Sequence, residues 1–184
     1  MWQIDQGVEF AIHHLERQST IFPPRRLELA RRYSIFQWVK PALKLLIFED
    51  FLWVGLTPEE CNQISFHVYR IITKARGIVE RERWSLALIR PQLRLSTCPN
   101  HGGCEKAWKT FWEAKMQLRL LHPADPLPLD EIADHVQKHL NSLELAQMTS
   151  HCKEAIVVQL QENRLIESIL DSATEAVITY FTSL

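Results

Sequence analysis

Glycine is scarce in this sequence, at five of 184 residues, and two of the five stand side by side at Gly102 and Gly103. That leaves no Gly-rich loop of the kind that cradles nucleotide phosphates. Charge of one sign is also missing. Lys and Arg number 21 against 22 Asp and Glu, a formal charge of -1, so no global field draws the chain to nucleic acid or to an anionic membrane. Long apolar runs are absent too. Segments such as Ala42–Phe48 and Ala155–Leu160 fall far short of the roughly 20 residues that span a bilayer. The opening Met1–Phe10 carries an acid and no basic stretch, so no secretory signal is expected, and a reducing intracellular setting, cytoplasm or nucleus, is. There the four cysteines, at 61, 98, 104 and 152, read as thiols or metal ligands before they read as disulfides. No Ser/His/Asp spacing, nucleophile elbow or distinctive carboxylate pair stands out, which predicts a chain that is not an enzyme.

Nearly everything present is helix. Apolar residues recur at helical spacing in Val8, Ile12 and Leu15, with Asp5 as a candidate N-cap. The same spacing links Leu27, Ala30 and Tyr33 behind Pro23-Pro24, and Trp38, Ala42, Leu45 and Leu46 around Pro41. Thr57, Pro58 and Glu60 form a capping box ahead of a stripe through Cys61, Ile64, Val68, Ile71, Ile72 and Ala75. From Arg76 the periodicity fades, Arg accumulates and Pro91 interrupts, so an irregular connection is expected over 76–103, between a subdomain at 1–75 and another at 104–184. After Gly103 the pattern places Ala107, Trp108, Phe111, Ala114 and Leu118 inward. A Pro-rich connector, a short helix near 130–140 and two stripes follow: Leu145, Met148, Cys152, Ala155 and Ile156, then Ile166, Ile169, Leu170, Ala173, Val177 and Phe181. No βαβ alternation, internal repeat or sheet-length alternating run is visible. The expected fold is all-α, a multi-helix bundle of seven or eight helices with little or no sheet.

One stretch departs from helix chemistry. Cys98, His101 and Cys104 form C-x2-H-x2-C, with Pro99 restricting the entry and Gly102-Gly103 freeing the backbone. These are zinc-type ligands on a short turn, and Cys152 or its neighbour His151 supplies a fourth. Three readings stay open: a structural zinc site, a turn whose thiols are merely packed, and a Cys98–Cys104 disulfide. His135 and His139 are spaced i, i+4, but Val136 stands where a metalloprotease helix carries its glutamate, so a solvated face is expected there. The basic stretch around Trp84 likewise reads as surface.

The segment "AIHHLERQSTIFPPRRLELARRYSIFQWVKPALKLLI" followed by "GLTPEECNQI" resembles the region after the BTB fold in the BTB-domain proteins of mushroom-forming fungi. Leu27, Leu29, Ala30, Arg31, Tyr33, Trp38, Pro41, Ala42 and Leu45 carry the likeness, then Leu56, Thr57 and Glu60. The later "SHCKEAI" and "ENRLIESILDSATEAV" are similar to that family's helical, BACK-like continuation. A BTB fold would lie ahead of Met1, so its dimerisation and cullin contacts map onto no residue here. The resemblance implies a BTB/BACK-like adaptor region that binds protein partners. Trp2, Phe10 and Phe22, which would face a BTB fold in a longer relative, are the expected partner-binding residues.

Overall fold

The structure is a computed structural model that describes residues 10, 12–14, 21–48, 56–93, 98–162 and 164–183. It is 78% helical, and no strand occurs among the described residues. Eight helices are numbered here in chain order: α1 (Pro23–Tyr33), α2 (Val39–Phe48), α3 (Pro58–Ile64), α4 (Phe66–Leu88), α5 (His101–Phe111, extended by a π turn over Trp112–Met116 and a last turn Gln117–Leu120), α6 (Ile132–Lys138), α7 (Ser150–Gln161) and α8 (Leu165–Thr182). Short 3-10 turns at Phe36–Trp38, Leu129–Glu131 and Leu143–Leu145 link them. The all-α expectation is met.

Local chemistry explains the ends. Pro23 and Pro24 open α1, where a missing amide donor leaves no bond unmade. At α3 the Thr57 hydroxyl accepts from the Glu60 amide at 3.3 Å while the Glu60 carboxylate accepts from the Thr57 amide at 2.6 Å, the reciprocal box that the sequence predicts. One residue, Ser65, separates α3 from α4, and its positive φ of 73° breaks what the stripe read as a single helix.

Two compact units result, residues 1–73 with 170–184 and residues 74–169. The expected boundaries differ from these. Helix α4 continues through 76–88, so of the expected irregular connection only residues 89–93 and 98–100 lie outside helix among the described residues. Its buried stripe persists as Val79, Arg83 and Ala87. Arg83 lays its aliphatic stem at an apolar position and turns its guanidinium to Glu80 at 2.7 Å, which hides the periodicity from a hydrophobicity count. The second boundary falls inside α8, whose later part joins the N-terminal unit, a pairing distant in sequence.

In the N-terminal unit α1 packs on α2 and α3, and Leu27, Ala30, Val39, Ala42, Leu43 and Leu46 are fully buried. Lys40 pairs with Asp171 at 2.7 Å and His67 stacks on Tyr180 at 4.3 Å, tying α2 and α4 to α8. Tyr33, expected inward, is exposed: α1 ends at Ser34, whose left-handed φ of 56° redirects the chain just behind it.

The core of the 74–169 unit is built on Trp108, Phe111, Trp112, Met116, Leu120, Val136, Leu145 and Ile156. A second correction arises here. The expected stripe of α5 passes through Ala114 and Leu118, but both are exposed, while Trp112, Met116 and Leu120 are buried. The π turn adds one residue to the helical repeat, and the inward positions after Phe111 run Trp112, Met116 and Leu120.

Candidate metal centre

Three of the four cysteines meet inside the second unit. Cys104 lies on the inward face of α5 with Ala107, Trp108 and Phe111, Cys152 on the inward face of α7 with Ile156, and Cys98 in the turn ahead of α5. All three are buried and unbridged, and their sulfurs lie within 4.8 Å of one another. Among the described residues they are the sole group of three or more His, Cys, Asp or Glu with such convergence. The Cys98 and Cys104 sulfurs are 3.7 Å apart.

Thr149 holds the cluster together. As N-cap of α7 its hydroxyl accepts from the Cys152 amide at 3.3 Å, the ordinary role of a threonine there. The same hydroxyl accepts from the Cys104 thiol at 3.8 Å and lies 3.7 Å from the Cys98 sulfur, and the Thr149 amide donates to the Cys104 sulfur at 3.4 Å. Sequence inspection passed over this residue, although "MTSHCKE" carries the signal of a capping Thr directly before a helix.

Electrostatics divide the three thiols. Burial pushes Cys98 up, but hydrogen bonds from Cys152, the Asn100 amide, Thr149 and Cys104 together outweigh it and hold Cys98 below the usual thiol range. Cys152 is pushed up to about 11 by burial, opposed by its hydrogen bond with Thr149 and reinforced by its side-chain hydrogen bonds with Cys98 and Cys104. Of the cluster, Cys98 is thus the thiol whose ionisation the surroundings favour and Cys152 the one whose ionisation they oppose.

His101 is placed differently. It occupies the first turn of α5, half-exposed, with Nε2 3.9 Å from the Glu105 carboxylate, and it is not among the atoms that converge. Its Nδ1 is buried without a hydrogen-bond partner. His151 is exposed and lines a shallow cleft of about 380 Å³ with Leu93, Glu154 and Val158, away from the sulfurs. Gly103 matters locally, since a Cβ there would come within 2.6 Å of the Asn100 side chain folded over this turn.

His135 and His139 form a separate pair, rings 4.5 Å apart, with His139 Nδ1 bonded to the His135 carbonyl at 2.8 Å. Among the described residues no third ligand joins them. Of the expected partner-binding residues, Phe10 and Phe22 are exposed and Trp2 lies outside the described residues. Larger exposed apolar surface stands at the end of α4, where Trp84, Leu88 and Ile89 are 55%, 68% and 70% exposed.

Chemically, three clustered thiols can ligate a soft ion through Cys98, Cys104 and Cys152, or close a disulfide between the first two after a small movement. Comparison with protein-family models, with curated proteins and with solved structures finds no match for this chain.

Proposed function

We propose that this chain is a non-catalytic module that binds another protein through a helical surface, the role implied by its resemblance to the BTB/BACK-like adaptor region. The observation that carries the reading is the exposed end of α4. Trp84 and Leu88 are spaced i, i+4 and therefore adjacent on one face, opposite the buried Val79, Arg83 and Ala87, and Ile89 extends them. Leaving an indole and two branched side chains in water gains nothing for the isolated fold, whereas Trp is the commonest energetic anchor of protein interfaces. Arg81 flanks them in the same unit, which suits a partner surface that is apolar at its centre and acidic at its rim. Phe10 and Phe22 are further contact candidates on the N-terminal unit.

The test compares the full chain with Trp84→Ala and Leu88→Asp as baits. A partner retained in stoichiometric amount by the parent chain and lost from both variants, with helix content and melting temperature unchanged, supports the reading. Equal retention by all three removes α4 from the interface.

A further inference from the structure

We infer that Cys98, Cys104 and Cys152 bind a zinc ion as thiolates, with the imidazole of His101 closing the fourth position. This goes beyond the protein-binding reading and does not rest on it. The first support is geometric. Tetrahedral zinc with bonds near 2.3 Å needs sulfur–sulfur edges of about 3.8 Å. The Cys98–Cys104 edge is already 3.7 Å, and no pair in the cluster exceeds 4.8 Å. Small rotations of Cys152 bring the remaining edges to that length. The three convergent donors are all sulfur, which selects zinc or copper(I) over magnesium or calcium.

The second support is charge. Three thiolates and one neutral imidazole leave a zinc site at a net charge of -1. Cys98 stands three residues ahead of His101, where α5 begins, Cys104 lies in the first turns of that helix and Cys152 in the first turn of α7, so the positive ends of two helix dipoles face the site. The Asn100 and Thr149 amides donate to its sulfurs. That is the outer support which orients thiolates in metal sites.

The third support is the orphaned Nδ1 of His101. It is shielded from water and bonded to nothing, a costly state for an imidazole nitrogen. His101 lies in the same turn, midway between Cys98 and Cys104, and a swing of its ring toward the sulfurs supplies that partner and breaks only a long contact with Glu105. Zinc entry releases the remaining thiol protons to solvent.

The experiment uses the full chain, purified under reductant and titrated with zinc against a chromophoric chelator, then with cobalt(II) for its thiolate charge-transfer band. One equivalent of zinc, a cobalt band of three thiolates, and a melting temperature raised by zinc and lowered by chelation are expected. Cys104→Ser and Cys152→Ser should each lose at least about 100-fold in affinity, while Cys61→Ser, in the other unit, binds as the parent does. Far-ultraviolet spectra identify any serine variant that has not folded, for which Cys104→Ala and Cys152→Ala replace it. His101→Gln should weaken binding at least about tenfold and shift the cobalt d–d bands. No stoichiometric zinc uptake by the reduced chain, or zinc uptake that all Cys variants keep, would overturn the site. Unchanged affinity and spectrum in His101→Gln would overturn the fourth ligand.

Discussion

Replacing Trp112 by Phe tests how the end of α4 is held. The indole is fully buried, 5.1 Å from Trp108, and its Nε1–H donates to the Leu86 carbonyl at 3.0 Å. Leu86 lies in the last turn of α4, where carbonyls run out of intrahelical donors. Trp108 does the same for the Pro91 carbonyl at 2.8 Å. Two side chains of α5 therefore satisfy the chain as it leaves α4. Phenylalanine keeps an aromatic ring but leaves the part-buried Leu86 carbonyl without its donor, a cost of about 1–3 kcal/mol. Loss of the smaller indole ring adds a transfer and cavity cost of about 1–2 kcal/mol. The sum, roughly 2–5 kcal/mol, is a large share of the 5–15 kcal/mol typical of a domain. At about 2–4 °C per kcal/mol for a chain of this size, the melting temperature should fall by roughly 4–20 °C. Chemical denaturation followed by circular dichroism measures it. Trp84→Phe, on the exposed face of the same helix end, should stay within about 0.5 kcal/mol. A Trp112→Phe cost below about 1 kcal/mol, or one matched by Trp84→Phe, would refute the capping role.

The register slip in α5 predicts that Leu118→Glu changes stability by less than about 0.5 kcal/mol while Leu120→Ala costs about 2–5 kcal/mol, since Leu118 is 69% exposed and Leu120 is buried; the order reverses if the helix is α throughout. Ser34 adopts a left-handed φ of 56° at the end of α1, so Ser34→Gly should raise the denaturant midpoint by the equivalent of about 0.5–1 kcal/mol, and a lowered midpoint would contradict that conformation. His135 is held below the ordinary histidine pKa, first by burial and then by His139, Arg119 and Lys138. The unfolded chain therefore takes up its proton first as acid is added, so this contribution to stability is complete above about pH 6.5 and is lost as pH falls through that range. Urea midpoints compared at pH 7 and pH 5 should differ less for His135→Gln than for the parent chain, and an equal difference would remove His135 from that acid sensitivity.

Residue pattern alone determined the fold class, because helical periodicity, prolines at helix starts and the Thr57–Glu60 box are local devices that act within a few residues. It also marked Cys98, His101, Cys104 and Cys152 as ligand types and found the stripes ending in Ile156 and in Phe181, though it left open whether one helix or two carried them. What the pattern could not supply depends on distant contacts or on a changed helical repeat. The π turn at Trp112–Met116 moved Leu118 out and Leu120 in, since one extra residue per turn rotates every later side chain by about 100°. Arg83 kept α4 regular where its charge suggested a break, because its stem packs as an apolar chain while its head reaches Glu80. Convergence of Cys152 with the other two sulfurs, and the part of Thr149 in it, required α7 to be laid against the start of α5, a placement fixed by the shared core of Trp108, Leu145 and Ile156 and by no spacing within the chain.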